Sequence, residues 1–252
     1  MTKLIFLGTS NAIPDEEHEN THMLLTGWQR AVLIDCVSSP MVRLWKAGLD
    51  SSLLTDLILT HFHPDHVSGV PQLLMNMWLL EHQHPLDIYG PQHTLDRIES
   101  LMGLYGWSEW PSFFPVTFHR LPLEEMTPVL ACEEFRILSS PVQHFIPTIG
   151  LRIELLRSGK VLAYSCDTEP CSQVVRLAAG ADVLIHEATG ALSGHSSAEQ
   201  AGEIARQAEA GSLYLIHYPN GQFATSDLVA EARKQFEGPI TLAQDFMVID
   251  FD

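Results

Sequence analysis

Apolar residues in this chain fall into short continuous runs bounded by turn residues, the pattern of strands buried on both faces. Such runs occupy 3–7, 31–35, 57–60, 86–89, 116–119, 135–139, 150–156, 160–165, 182–186 and 213–217, with further strands expected near 240–243 and 246–251. Apolar spacing of the helical kind predicts helices over 70–82, 92–105, 174–179, 197–210 and about 227–236. Ser39-Pro40 opens another short helix that Gly48 closes. Ser196-Ser197-Ala198-Glu199 reads as a capping box for the 197–210 helix, and Gly211 as its stop. The aromatic, proline-broken stretch 105–115 cannot be regular. Its Trp107, Trp110, Phe113 and Phe114 read as core plugs under a loop, or else as a lid or a dimer contact. No linker, low-complexity tract or repeat interrupts the pattern, so residues 1–252 are expected to form a single domain.

What terminates the strands changes the picture. The run Leu57–Thr60 ends in His61-Phe62-His63-Pro64-Asp65-His66, three histidines and an aspartate within six positions. Imidazole and carboxylate are ligands that Zn²⁺ favours, and crowding them has no value to an apolar core. Pro64 keeps His63 out of helical geometry, so the group is expected on a bent loop, with His61 and His63 facing one metal and Asp65 and His66 a second. Other strands end in Cys166-Asp167-Thr168, in His186-Glu187-Ala188-Thr189 and in His217, and a loop carrying His144 precedes the strand near Gly150. A lone histidine of this kind is usually a satisfied core residue. Five strand ends that all offer ligand chemistry point to a site.

Composition narrows the partners. The formal net charge is −17, from 14 basic and 31 acidic residues. Affinity for long nucleic acid comes mostly from phosphates neutralised by Lys and Arg, so a long RNA or DNA is not expected as a partner. No 18-residue apolar run implies a membrane span, and the start is too short in apolar residues for a signal peptide. Four dispersed cysteines without a CxxC suggest no disulfide framework and a cytoplasmic protein.

The chain resembles the metallo-β-lactamase superfamily, and within it the ribonuclease Z branch. The matching segments are Gly8-Thr9-Ser10 with Pro14, Leu33-Ile34-Asp35-Cys36, Thr60–His66, Val142-Gln143-His144, Ser165–Thr168, His186–Thr189, Gly194–Ala198 and Leu215-Ile216-His217. The histidine cluster marks only the superfamily; His186-Glu187-Ala188-Thr189 and His195-Ser196-Ser197 narrow it. The resemblance implies an α/β (α+β) fold, a four-layer αββα sandwich. It implies two metals, zinc by default with manganese or iron as options. The first would be held by His61, His63 and His144, the second by Asp65, His66 and His217, with Asp167 bridging them and a shared water as nucleophile. It also makes His195 a proton donor and Glu187 the carboxylate that orients it, with Asp65 joining them in catalysis. Ser196 is expected to cap the helix, and His22, His82, His84, His93 and His119 to lie at the surface or rim.

Departures from the family pattern set the expected substrate. Ribonuclease Z enzymes carry a basic, glycine-rich arm between the third motif and the bridging aspartate. Here only 22 residues separate His144 from Asp167. Cys166 replaces the usual glycine before the aspartate, and Cys36 is followed by Val-Ser-Ser. The expected function is a dinuclear-metal phosphodiesterase acting on a small or cyclic phosphodiester, possible as a homodimer. The alternatives are a tRNA 3′-processing endoribonuclease, a lactone or ester hydrolase, and a metal-bound sensor without turnover.

Overall fold

The computed structural model describes residues 2–251. Two seven-stranded sheets make up its centre. The first contains β1 (Lys3–Gly8), β2 (His22–Thr26), β3 (Ala31–Ile34), β4 (Asp56–Ile58), β5 (Leu86–Pro91) and β6 (Val116–Leu121). The second contains β7 (Thr127–Ala131), β8 (Phe135–Pro141), β9 (Ile149–Leu155), β10 (Val161–Tyr164), β11 (Val183–Glu187), β12 (Leu213–Ile216) and β13 (Ile240–Leu242). The final strand, β14 (Val248–Asp250), returns to the first sheet and pairs antiparallel with β1. Strand order is β14-β1-β2-β3-β4-β5-β6 in one sheet and β13-β12-β11-β10-β9-β8-β7 in the other. In each sheet the pairing switches once, from antiparallel to parallel: at β3–β4 in the first and at β10–β11 in the second.

The continuous apolar runs have a direct cause. Leu4 and Phe6 of β1 face the second sheet, and Ile5 and Leu7 face helices on the other side. Val32 and Ile34 of β3 divide from Ala31 and Leu33 in the same way. One core thus lies between the sheets, filled also by Phe135, Ile137, Ile153 and Ile185. Helices α1 (Pro40–Lys46), α3 (Val70–Leu79) and α4 (Gln92–Leu104) cover the outer face of the first sheet. Helices α5 (Ser172–Leu177), α6 (Ala198–Gln207) and α7 (Leu228–Ala232) cover that of the second. The expected four-layer αββα sandwich is what forms. No helix among the described residues is long and apolar enough to cross a membrane.

Several local expectations fail for identifiable reasons. Pro64 holds His63 extended (φ −101, ψ 149), but it also starts a helical turn, α2 (Pro64–Val67). Asp65 and His66 therefore ride on that turn and not on a loop. Strand β2 shows no alternation because four of its five residues are buried. Strand β7 is an edge strand with Pro128 beside a register shift, a place where proline is tolerated. The capping box of α6 forms one residue later than expected: Ser197 is the N-cap and Gln200 its reciprocal partner. Ser196 instead donates its hydroxyl to the Thr168 carbonyl. His22 and His82 are buried, not superficial. In the 105–115 stretch Phe114 is buried, and Trp110 stacks on Trp78, whose indole donates to the Pro111 carbonyl at 2.9 Å.

Candidate metal centre

The carboxyl ends of the parallel strands from both sheets open at one place, and the chain turns sharply there. Asp35 after β3, Cys166 after β10 and His217 after β12 all take left-handed backbone conformations, with φ of 59, 54 and 51°. Non-glycine residues rarely adopt this region, and such strain concentrates where side chains must be aimed.

The first sheet contributes His61, His63, Asp65 and His66. The loop between β8 and β9 contributes His144, and the second sheet adds Asp167 and His217. Three imidazole nitrogens meet: His61 Nε2 lies 3.0 Å from His63 Nδ1, which lies 3.2 Å from His144 Nε2. Beside them, Asp167 Oδ2 stands 3.4 Å from His217 Nε2, 3.5 Å from His66 Nε2 and 3.9 Å from His61 Nε2. Asp65 Oδ2 is 3.4 Å from His217 Nε2. All seven residues expected to bind metal are therefore brought together.

The outward nitrogens explain which atoms face inward. His66 Nδ1 bonds Asp35 Oδ2 at 2.8 Å, and His144 Nδ1 donates to the Gly194 carbonyl at 2.7 Å. Thr189 Oγ1 gives its proton to the His217 carbonyl and so accepts from His217 Nδ1, both at 2.8 Å. Thr60 Oγ1 donates to Asp35 and so accepts from His61 Nδ1 at 3.1 Å. These four histidines each spend Nδ1–H on a neighbour and present Nε2 to the centre, as metal-bound histidines do.

The centre has the features a divalent cation needs. His66 Nε2, His217 Nε2 and Asp167 Oδ1 are buried without a hydrogen-bond partner, which is costly unless something else satisfies them. Separations of 3.0–3.5 Å among the inward atoms suit donors that surround an ion at about 2.0–2.2 Å each. Burial pushes His61 well below the usual histidine range, leaving it neutral. Burial would raise Asp167, but the charges of His217, His66 and His61 hold it well below the ordinary carboxylate range. His66 is the exception. Burial would lower it, yet Asp167 and Asp35 carry it well above its usual value, so an incoming cation must displace a proton there.

Glu187 and His195 flank this centre. Glu187 is fully buried; its Oε1 accepts from His195 Nδ1 at 2.9 Å and from the Thr168 amide at 2.9 Å, and its Oε2 from the Thr189 amide at 3.0 Å. Burial alone would lower His195, but the bond to Glu187 and the charges of Glu187, Asp167 and Asp65 raise it. The His195 ring stacks parallel to His217 with centroids 5.9 Å apart, which places it at the mouth of the centre.

Residues that sequence patterns left without a role complete the frame. Asp35 orients His66, and Thr189 orients His217. Glu169 accepts from the Gly194 amide at 2.7 Å and from Gln143 Nε2 at 2.9 Å, which ties the His144 loop to the His195 loop. Asp35 carried a visible signal, as a carboxylate ending a strand, and Thr189 as the end of the His186–Thr189 segment, whereas Glu169 carried none. Cys166 lies behind the centre, with Sγ 3.6 Å from His61 Nδ1.

This geometry defines a class, the metal-dependent hydrolases built on the metallo-β-lactamase sandwich, and comparison with known proteins agrees. The family model described as "Beta-lactamase superfamily domain" matches residues 30–218. Ribonuclease Z of Methanothermobacter thermautotrophicus is 28% identical over 306 aligned positions, covering 99% of this chain and 97% of that protein. Those 306 positions exceed the 252 residues here, so the relative carries insertions. Among solved structures, human tRNase Z, short form, superposes with a TM-score of 0.79 at 27% identity, over 99% of this chain and 98% of that one. The metallo-β-lactamase fold protein YhfI of Bacillus subtilis reaches 0.83 at 22% identity, over 98% of each chain, a likeness of fold alone. The chain belongs to the metallo-β-lactamase superfamily, as a metal-dependent hydrolase of the ribonuclease Z type.

Proposed function

We propose that the chain is a phosphodiesterase that cleaves RNA, with precursor tRNA as its substrate class. The observation that carries the phosphodiesterase reading is the Glu187–His195 pair, 2.9 Å apart with Glu187 fully buried, and the relatives named ribonuclease Z and tRNase Z direct it to RNA. His61, His63 and His144 would hold one metal, Asp65, His66 and His217 a second, and Asp167 both. Two divalent ions bound there, zinc first and manganese or iron as alternatives, supply Lewis acidity and lower the pKa of water. Glu187 keeps the proton on His195 Nδ1 and favours the cationic ring. His195 then gives its Nε2 proton to the departing oxygen, which an alkoxide leaving group requires. Asp65, the more accessible of the two central carboxylates, takes up the proton released by the attacking water. Burial of Glu187 and Asp167 strengthens the interactions these two carboxylates make.

A second reading, hydrolysis of a small or cyclic phosphodiester, has two observations in its favour. At least eight of the 14 cations (Arg30, Arg43, Arg120, Arg136, Arg152, Arg176, Arg206 and Lys234) already pair with carboxylates. The β9–β10 hairpin also occupies the segment between His144 and Asp167, where an arm would stand. Lactone or ester hydrolysis and a sensor role lack such support. The deciding experiment offers metal-loaded protein a precursor tRNA and bis(p-nitrophenyl) phosphate. Cleavage of the tRNA near its 3′ end, falling steeply with salt, supports the first reading. Turnover of the small diester alone supports the second, and no activity with both metals bound overturns both.

We also propose that residues 1–252 act as one unit, because the inter-sheet core draws on both halves of the chain. A homodimer is proposed from exposed Val42 and Trp45 on α1, Leu79 at the end of α3, and exposed Leu53 and Leu80 in the segments that follow those helices. Free thiols at all four cysteines fit a reducing compartment.

A further inference from the structure

We propose that Phe145 is a stacking platform for the base of the nucleoside whose oxygen leaves, an inference that rests on the RNA-cleaving reading above. Phe145 directly follows the ligand His144, yet 61% of it is exposed. The open face of the ring thus stands beside the polar centre, where a flat ligand group can reach it. The ring is not loose. Its inner edge rests on Gly194, where a Cβ would stand 2.6–3.0 Å from ring atoms. Gly194 also has φ of +76°, so no other residue fits there without strain or collision. Gly194 is itself held by Glu169 through its amide and by His144 through its carbonyl, at 2.7 Å each. The platform is therefore anchored to the same frame that positions the ligands.

Its place selects one side of the substrate. Phe145 lies 5.0 Å from the His144 ring and 6.2 Å from the His195 ring, centroid to centroid. His195 delivers the proton to the leaving oxygen, so the group that approaches Phe145 is the nucleoside bearing that oxygen. The chain has few unpaired cations to grip phosphates. A base stacked on an aromatic face supplies affinity without charge and tolerates any base identity. That is the contact an acidic, armless protein would need.

The test uses the full-length, metal-loaded protein and a precursor tRNA in which the nucleotide supplying the leaving oxygen either keeps its base or is abasic. For the unaltered protein, removing the base should raise KM by about 5- to 150-fold, the range of one stacked base, with kcat little changed. Phe145→Ala and Phe145→Leu should treat both substrates alike, whereas Phe145→Trp should keep the preference. An abasic nucleotide on the other side of the scissile phosphate should affect all four proteins equally. A preference that survives Phe145→Ala overturns the assignment, and one that survives Phe145→Leu shows apolar contact in place of stacking and overturns it too. If the unaltered protein cleaves neither RNA, the RNA-cleaving reading itself falls. Because the side chain is mostly exposed, thermal unfolding of the variants should match the parent within a few degrees.

Discussion

Replacing Glu187 by Gln removes the charge behind His195 while keeping shape. Each oxygen of Glu187 is committed, Oε1 to the Thr168 amide and His195 Nδ1, Oε2 to the Thr189 amide. An amide side chain must turn its NH₂ toward one of those donors whichever way it is flipped. A hydrogen bond to a charged group is worth about 1.5–3 kcal/mol, which corresponds to about 10- to 150-fold in rate if it is expressed in proton donation. The sign follows from His195. Burial lowers it, but Glu187 and then Asp167 and Asp65 more than offset this and raise its pKa. A donor of raised pKa stays protonated to higher pH. The stability it lends is complete below the ordinary histidine value and lost as pH rises through the raised one. Glu187→Gln should therefore shift the alkaline limb of kcat/KM to lower pH, with a loss of about 10- to 150-fold at pH 8 and a smaller loss at pH 6. The assay is a pair of pH–rate profiles at saturating metal, one with an alkoxide leaving group and one with p-nitrophenolate. The second departs without help and should lose far less. An alkaline limb that stays in place, or equal losses for both leaving groups, would refute a proton-donor role for His195.

Other expectations follow from the same geometry. Asp167→Ala should leave protein retaining little of either metal after dialysis, measured by metal analysis, because one carboxylate faces the histidines of both groups. Zinc affinity should fall as pH drops, since a proton on His66 must leave first, and calorimetry in two buffers should register its release. At position 166, with φ of 54°, Cys166→Val should destabilise by more than about 2 kcal/mol in denaturant unfolding, because a β-branched residue is strongly disfavoured there. Cys166→Gly should change stability by under about 1 kcal/mol, as conformational relief offsets lost packing. Leu79→Glu should convert a dimer to monomer in light scattering; a parent that is already monomeric removes the dimer proposal.

Much of the fold was legible because its strands are buried on both faces, so β4, β10, β11 and β12 stand out as unbroken apolar runs that stop at chemical residues. Strand β2 did not stand out, since His22 opens it and five residues carry no period. Strand β7 hid behind Pro128, which only an edge position excuses. The metal-facing residues were readable because ligand types cluster at strand ends. Their supports were not. Thr189 serves His217 from 28 positions away, and Glu169 joins Gln143 to Gly194 from 25 or 26, pairings that depend on which loops the two sheets bring side by side. The same limit applies to Phe145, whose meaning comes from Gly194 beneath it.

The division of the centre between two sheets bears on when it can form. The group His61–His66 leaves the ribosome well before His144, Asp167 and His217. At about 5–20 residues per second the wait from His66 to His217 is roughly 8–30 s. Until His217 emerges, the early histidines face an incomplete second sheet and so no closed cage. With these residues as the ligands, metal capture waits until the chain has been made through His217, and a nascent chain stalled before residue 144 should release zinc to a weak chelator that the folded protein resists.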